Sequence, residues 1–145
     1  MNEEDHHHLR RAIELAEAAR RAGDMPFGAL LVGREGQVLA EDRNTVVIER
    51  DITGHPELKL ARWADRELDG LTRQQTSMYT SCEPYPMCKS AIARAGLGRV
   101  VFALADHQLF DLKPPGAVAP DAARVDYEGP ALFDEARVPI DGYYE

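Results

Sequence analysis

Two short segments of the sequence carry residue types that can do metal or proton chemistry. The first is His55-Pro56-Glu57, and the second runs from Cys82 to Cys88 (CEPYPMC). Imidazole nitrogen and thiolate sulfur are donors that Zn²⁺ prefers, and a carboxylate beside such an ion can carry protons. Taken alone, His55 could equally be a surface histidine, Glu57 an ordinary acid of a first helical turn, and the cysteines two inert thiols. The chemistry therefore depends on whether folding brings the two segments together.

Both segments stand at predicted helix starts. Thr53 can cap a helix whose first turn contains Pro56, and Pro84 lies at the start of another helix. A helix start offers unpaired N–H groups and a partial positive field, which favour thiolate over thiol and stabilise developing negative charge. If the two helices lie side by side, their starts converge and a His and a Cys could hold Zn²⁺, with Glu57 beside the metal.

The motifs have the order and spacing of a known family. The run MYTSCEPYPMC at 78–88 resembles the second zinc motif of bacterial guanine deaminases, and His55-Pro56-Glu57 resembles the H-x-E of the wider cytidine/deoxycytidylate deaminase-like superfamily. The segment PFGAL at 26–30 and Asn44 also fall in the family's order. The resemblance covers the chain to about residue 105 and fades thereafter.

The resemblance implies a set of site residues. His55 and Cys88 would be ligands of one Zn²⁺ per chain, and Glu57 would be the catalytic general acid/base, which moves the proton of the attacking water to the ring nitrogen and the departing amine. Asn44 resembles the family's side-chain amide that hydrogen-bonds the base, and Phe27 resembles its pocket-lining aromatic. From its type alone, Asn44 could be a turn residue and Phe27 a core residue.

One position departs from the family pattern P-C-x-x-C. The sequence has Pro84-Tyr85-Pro86-Met87-Cys88, so Tyr85 stands where the third zinc ligand is expected. A phenol has a pKa near 10 and is a poor substitute for a thiolate. Three outcomes stay open: Cys82 replaces the missing ligand, Tyr85 itself ligates or holds a weaker site, or zinc is lost.

Alternating strand and helix patterns set the expected architecture. Leu9, Ile13 and Ala16 form one apolar stripe of the opening helix, and Gly33 to Gly36 can close a hairpin. The predicted elements are a helix over 6–22, strands over 27–32 and 38–41, a helix from 53 to 68, a strand over 78–81, a helix from 83 to 95, a strand over 100–104, a weak strand over 124–127 and a short helix over 130–136. With the resemblance, this predicts a three-layer α/β/α cytidine-deaminase-like fold with a mixed five-stranded sheet flanked by helices, in one domain over 1–145.

Composition and charge narrow the function classes. The chain has 145 residues and a net charge of −8, with no basic stripe of the kind that grips nucleic acid. No apolar run approaches the roughly 18–20 residues of a membrane span, and the acidic N-terminus lacks a signal-peptide pattern. These features predict a cytoplasmic protein and favour a small-molecule partner over nucleic acid. The resemblance implies that this small molecule is a heterocyclic base and that the chain forms a homodimer.

Three functions are compatible with the sequence. The first is a zinc-dependent hydrolytic deaminase of a free amino-substituted base, guanine-like or cytosine/triazine-like, with guanine-like rings leading. The second is a catalytically impaired homologue that binds a base-like ligand or a protein without zinc chemistry, because Tyr85 could fill the metal site. The third, a tRNA adenosine deaminase, fits less well because the basic patch is missing.

Overall fold

The computed structural model describes residues 1–117 and 123–145, in two compact units, Met1–Lys113 and Pro114–Glu145. The first unit contains α1 (Glu3–Ala22), β1 (Gly28–Val32), β2 (Val38–Arg43), α2 (Val46–Glu49), α3 (Pro56–Glu67), α4 (Gly70–Gln74), β3 (Ser77–Cys82), α5 (Pro86–Ala95), β4 (Arg99–Leu104) and α6 (Asp106–Leu112). The second unit contains one short helix, α7 (Phe133–Ala136). None of the helices in the described ranges is long and apolar enough to cross a membrane.

The sheet is mixed and has the strand order β2-β1-β3-β4. Strand β1 is antiparallel to both β2 and β3, and β3 is parallel to β4. The mixed α/β architecture is confirmed, but the described residues form four strands instead of five. The predicted strand over 124–127 is irregular and exposed, and Arg124 pairs locally with Asp126 at 3.1 Å. This short segment buries no face, which a strand needs for stable pairing.

Helices cover both faces of the sheet. On one face, Leu9 and Ala12 of α1 pack with Leu30, Tyr79 and Val101. On the other face, α3 and α5 pack against β1 and β3, and their shared core contains Ala29, Leu31, Leu60, Ala61, Ala64, Met78, Ile92 and Ala95. Because side chains alternate along a strand, the neighbours Leu30 and Leu31 serve opposite faces. The arrangement is the predicted three-layer α/β/α fold.

Helix α1 begins at a capping box and is tied to the sheet by a buried carboxylate. The backbone N–H of Asp5 donates to Asn2 Oδ1 at 2.9 Å, and the Asn2 N–H donates to Asp5 Oδ2 at 3.0 Å. The Tyr79 hydroxyl donates to Asp5 Oδ1 at 2.7 Å, and Arg99 donates to both carboxylate oxygens at 2.9 and 3.0 Å. Asp5 therefore joins α1 to β3 and β4.

Several short elements differ from the sequence prediction. Helices α2 (Val46–Glu49) and α6 (Asp106–Leu112) are not among the predicted elements. Helix α4, which is held by an N-cap bond from the Thr72 N–H to Asp69, is not among the predicted elements. The cap of α3 is His55, not Thr53, since Pro56 occupies the first helical turn.

Candidate active site

Three side chains from the two sequence motifs meet at one point. Ligand atoms of His55, Glu57 and Cys88 all lie within 4.8 Å of one another. Glu57 and Cys88 are buried and His55 is half-buried. No other group of three His, Cys, Asp or Glu side chains in the described ranges is as close. The structure therefore brings together three of the predicted site residues.

The packing of α3 against α5 creates this convergence. His55 is the N-cap of α3 and Glu57 lies in its first turn, while Cys88 lies in the first turn of α5. Behind these turns, Leu60 and Ala61 of α3 belong to the same apolar core as Ile92 of α5. Two helix starts thus point their unpaired N–H groups and partial positive ends at one place, which favours negative charge there.

Glu57 sits in an environment that suits proton transfer. Burial raises the pKa of its carboxyl to about 7, and hydrogen bonds from the Cys88 side chain and the Glu57 backbone offset part of that rise. A carboxyl with a pKa near neutrality can accept and release a proton at physiological pH, as a general acid/base must.

The two predicted ligands differ in how readily they can bind a cation. Burial, the charge of Glu57 and the hydrogen bond to Glu57 raise the pKa of the Cys88 thiol to about 12, against a small lowering by the Leu58 N–H. Burial lowers the pKa of His55 and outweighs the opposite effect of Asp51. A neutral imidazole is ready to ligate, whereas the buried thiol would need a cation to hold it as thiolate.

Asn44 and Phe27 lie next to each other, as the predicted substrate-binding pair requires. The Asn44 N–H donates to the Phe27 carbonyl at 3.0 Å. Asn44 is fully buried, its Oδ1 accepts the Val46 N–H at 3.0 Å, and its Nδ2 has no partner. A buried amide donor without a partner is costly in a folded protein, so this one is available to a ligand.

Cys82, the predicted replacement ligand, is held at the end of β3. It pairs with Leu104 of β4, and its carbonyl accepts the Thr80 hydroxyl at 2.6 Å. Its sulfur is not part of the group formed by His55, Glu57 and Cys88. Burial, and after it the charge of Glu57, raises the pKa of the Cys82 thiol to about 11. Its role as a ligand stays a prediction.

Tyr85 is directed towards helix α6. It is the N-cap residue of α5, and its hydroxyl accepts a hydrogen bond from Lys113 Nζ at 3.3 Å. The same ammonium lies 5.9 Å from the centre of the Tyr85 ring. The phenol oxygen at the third-ligand position therefore already has a cationic partner.

The donors present fit Zn²⁺ in chemical type. Zn–N and Zn–S bonds of about 2.0–2.3 Å keep two ligands of one ion within about 4.6 Å of each other. His55 and Cys88 lie within 4.8 Å, so one ion could reach both after a small adjustment. Catalytic zinc sites use three protein ligands. The third would come from Cys82 or Tyr85, as in the alternatives left open by the sequence.

Lys59, one helical turn after His55, also borders the site and is not predicted from the sequence. Its Nζ contacts Asp42, Arg43 and Thr45 at 2.9–3.0 Å, on both sides of Asn44. A lysine on a helix normally faces solvent, so the residue type alone does not predict that Lys59 contacts the site. The only hint is its place between Leu58 and Leu60, on a helix that needs a broad apolar side.

The chain matches the profile of a known family over the part that contains these site residues. The profile of the cytidine and deoxycytidylate deaminase zinc-binding region matches residues 2–104. The matched range contains both motifs and ends at the last residue of β4.

Individual relatives share this range and more. The chain is 28% identical over 157 aligned residues to a probable cytosine deaminase of Schizosaccharomyces pombe, covering 100% of this chain and 95% of the relative. It is 34% identical to guanine deaminase of Bacillus subtilis, covering 92% and 77%. The X-ray structure of a Bacillus subtilis guanine deaminase superposes with a TM-score of 0.74 at 30% identity, covering 99% and 94%. A crystal structure of the protein NE0047 in complex with 2,6-diaminopurine superposes with a TM-score of 0.63 at 29% identity, covering 72% and 58%.

Proposed function

This chain belongs to the cytidine and deoxycytidylate deaminase family, and we propose that it is a zinc-dependent hydrolytic deaminase of a free amino-substituted nucleobase or related heterocycle. The observation that carries the proposal is the meeting of His55, Glu57 and Cys88 at the starts of two packed helices. These residue types supply two metal donors and one proton carrier. Hydrolytic deamination needs both, a metal that activates water and a group that transfers its protons.

The reaction replaces a ring C–NH₂ by C=O, with water as the second reactant and ammonia as the second product. When bound, Zn²⁺ would make hydroxide available near neutral pH and would be held by His55, Cys88 and a third donor. Glu57 accepts the proton of the attacking water and passes it to the ring nitrogen, and a second proton leaves with the amine. Its pKa near 7 suits both steps.

Asn44 gives the base its orientation. Because Oδ1 is used by the Val46 N–H, the free group is the Nδ2 donor, which requires an acceptor on the ligand. Ring nitrogens and ring carbonyls of purines and pyrimidines are such acceptors. Guanine-like bases are the leading class, supported by the likeness to guanine deaminases and to a protein bound to 2,6-diaminopurine. Phe27 would line the same pocket.

An ammonia-release screen tests the proposal. The zinc-supplemented protein is offered guanine, 2,6-diaminopurine, cytosine and an aminotriazine, and ammonia is measured by a coupled assay. We expect turnover of at least one ring and a fall of about 10²–10⁴-fold in Glu57→Gln, because a general acid/base contributes about that much.

The matched control is Glu67→Gln, at the exposed end of the same helix. It removes the same charge far from the motif residues and should keep wild-type turnover. Equal turnover in wild type and Glu57→Gln would refute the assignment of Glu57, and no turnover of any ring would remove the enzyme proposal.

A second candidate function rests on the contact between Tyr85 and Lys113. If the phenol occupies the third-ligand position permanently, the protein would be a catalytically impaired homologue that binds a base-like ligand or a protein without zinc chemistry. This candidate predicts no zinc in the purified protein and no uptake on refolding with excess metal. One zinc per chain, held through Cys88, would exclude it.

The family resemblance also suggests how the enzyme works in the cell. We propose a homodimer acting in the cytoplasm on free bases, and not on nucleic acid, since the net charge is −8. Light scattering would measure the mass in solution, and a monomeric mass would contradict the homodimer.

A further inference from the structure

The ammonium group of Lys59 has a complete set of hydrogen-bond partners. Its Nζ lies 3.0 Å from Asp42 Oδ1, 2.9 Å from the Arg43 carbonyl and 3.0 Å from Thr45 Oγ1. An ammonium has three N–H donors, so all three are used. A surface lysine rarely has this, because fixing its long side chain costs rotamer entropy.

The three acceptors bracket the residue that would bind the base. The Arg43 carbonyl precedes Asn44 and the Thr45 hydroxyl follows it, while Asp42 lies two residues before it. Asn44 itself is fully buried with a free Nδ2. The lysine therefore binds the residues on both sides of this amide, through the backbone carbonyl at Arg43 and through the side chain at Thr45.

Lys59 belongs to the helix that presents the other half of the site. Its N–H donates to the His55 carbonyl at 3.1 Å, and Glu57 lies two residues earlier on α3. A second link runs beside it, since the Thr45 N–H donates to the carbonyl of Gly54 at 3.0 Å. The segment that holds Asn44 is thus bonded to α3 through Lys59 and to the residue that precedes the N-cap of α3 through Gly54.

Apolar packing contributes little to holding this segment. Helix α2 has no buried residue, and Val47, Ile48 and Ile52 are 56%, 60% and 82% exposed. Polar contacts must therefore set its position. Lys59 provides one of them, at Thr45, and two more at Asp42 and Arg43, the last residues of β2 before the segment begins. Asp24 adds two more by accepting the N–H groups of Val47 and Ile48.

We propose that Lys59 is a positioning residue that holds Asn44 in register with His55 and Glu57. This inference rests on the proposed deaminase function, because Asn44 matters only if a base binds there. A ligand oriented by Asn44 must meet the proton carrier on α3 with sub-ångström precision, and a misplacement of about 1 Å can cost about 10²-fold in rate. The three bonds of Lys59 connect the two halves directly.

The test compares Lys59→Met with Arg62→Met. Methionine keeps an apolar stem of similar length and removes the donors; Arg62 is exposed on the same helix and loses the same charge. Amide hydrogen exchange by mass spectrometry follows peptides within 44–54. We expect exchange there to quicken about tenfold or more in Lys59→Met, with unchanged protection in β1 and β3, and no such change in Arg62→Met.

A binding measurement adds the functional readout. In a Glu57→Gln background, which prevents turnover, the dissociation constant of 2,6-diaminopurine is measured by calorimetry on the zinc-supplemented protein. We expect Lys59→Met to weaken binding about tenfold, and Thr45→Val, which removes one acceptor at nearly constant volume, to weaken it less. Should Lys59→Met fail to fold, Thr45→Val carries the same test, with faster exchange confined to 44–54.

The outcomes separate the two proposals. Exchange and binding equal to those of Arg62→Met would overturn the role of Lys59 and leave the deaminase proposal standing. If the parent protein neither binds nor converts any base, the deaminase proposal fails. The exchange data still decide whether Lys59 positions this segment.

Discussion

A carboxylate oxygen of Glu57 and the sulfur of Cys88 lie within 4.8 Å of each other, although the two residues come from different helices. Burial, and after it the charge of Glu57, raises the pKa of the Cys88 thiol to about 12, while the thiol offsets part of the rise that burial causes in the pKa of the Glu57 carboxyl. A cation bound beside them would favour the thiolate form of Cys88 as a ligand and leave the carboxylate available for proton transfer. The pair would thus link metal occupancy to the protonation of the proposed proton carrier.

The first prediction concerns the zinc donors. We expect about one zinc per chain in the zinc-supplemented wild type by elemental analysis, and loss of zinc in Cys88→Ala, because the other motif donor, His55, cannot retain the ion alone. Loss of zinc in Cys82→Ala as well would assign the third ligand to Cys82. Retention of zinc in Cys82→Ala would exclude Cys82 as the third ligand, and Tyr85→Phe would then test whether Tyr85 provides it. Zinc retained in Cys88→Ala would contradict the site.

The second prediction concerns the departure at the third position. Tyr85→Cys restores the P-C-x-x-C pattern, and we expect zinc affinity to rise at least about tenfold in competition with a chromogenic chelator, because thiolate is the better zinc donor. Met87→Cys is the matched control, since it adds a thiol to the same helix start at an exposed position. Equal gains in both variants would show that position 85 has no special relation to the metal.

Much of this site can be predicted from sequence because its residues stand at helix starts. Pro56 and Pro86 mark the first turns, and the apolar faces of α3 and α5 require the helices to pack side by side on the sheet. His55, Glu57 and Cys88 then meet without further assumptions. The same patterns predict the helices and strands of the first unit, except for short elements such as α2 and α4, whose stability comes from local caps.

Other features cannot be predicted, because they depend on contacts between distant residues. The role of Lys59 requires knowing that the end of β2 lies over α3. The direction of Tyr85 depends on Lys113, at the end of a helix whose sequence shows little periodicity. The predicted strand over 124–127 is wrong because alternation alone does not give a strand a partner.

The third prediction concerns acid stability. Hydrogen bonds from Arg99 and Tyr79 hold the pKa of Asp5 well below its usual range. A carboxyl with a depressed pKa contributes stability above its unfolded pKa of about 3.9, and that contribution is lost as the pH falls below about 4. At pH 6, Asp5→Asn should lower the unfolding free energy by on the order of 2 kcal/mol, because it breaks the ion pair between a buried carboxylate and the half-exposed Arg99.

The measurement is urea unfolding at pH 6 and at pH 3. We expect the gap between wild type and Asp5→Asn to narrow at pH 3, where the native carboxylate begins to lose its advantage. Asp65→Asn, on the exposed face of α3, is the control and should change stability by less than about 0.5 kcal/mol at either pH. A gap that stays constant between the two pH values would contradict the assignment to Asp5.

The fourth prediction tests how closely α1 approaches the sheet. A Cβ at Gly28 would lie 2.5 Å from the Ala12 carbonyl oxygen, 2.5 Å from Leu15 Cβ and 2.6 Å from the Ala16 nitrogen. Two of these atoms are backbone and cannot turn away, so Gly28→Ala must push α1 off β1. We expect it to cost about 2–3 kcal/mol, or more if the helix cannot shift.

Gly70→Ala is the control, since its Cβ would meet only Arg73 Nη2 at 3.8 Å and alanine favours the helix. Thermal unfolding should therefore show Gly28→Ala melting at least about 4 °C lower and Gly70→Ala melting at or slightly above wild type. Equal melting temperatures for the two variants would mean that α1 does not lie this close to the strand.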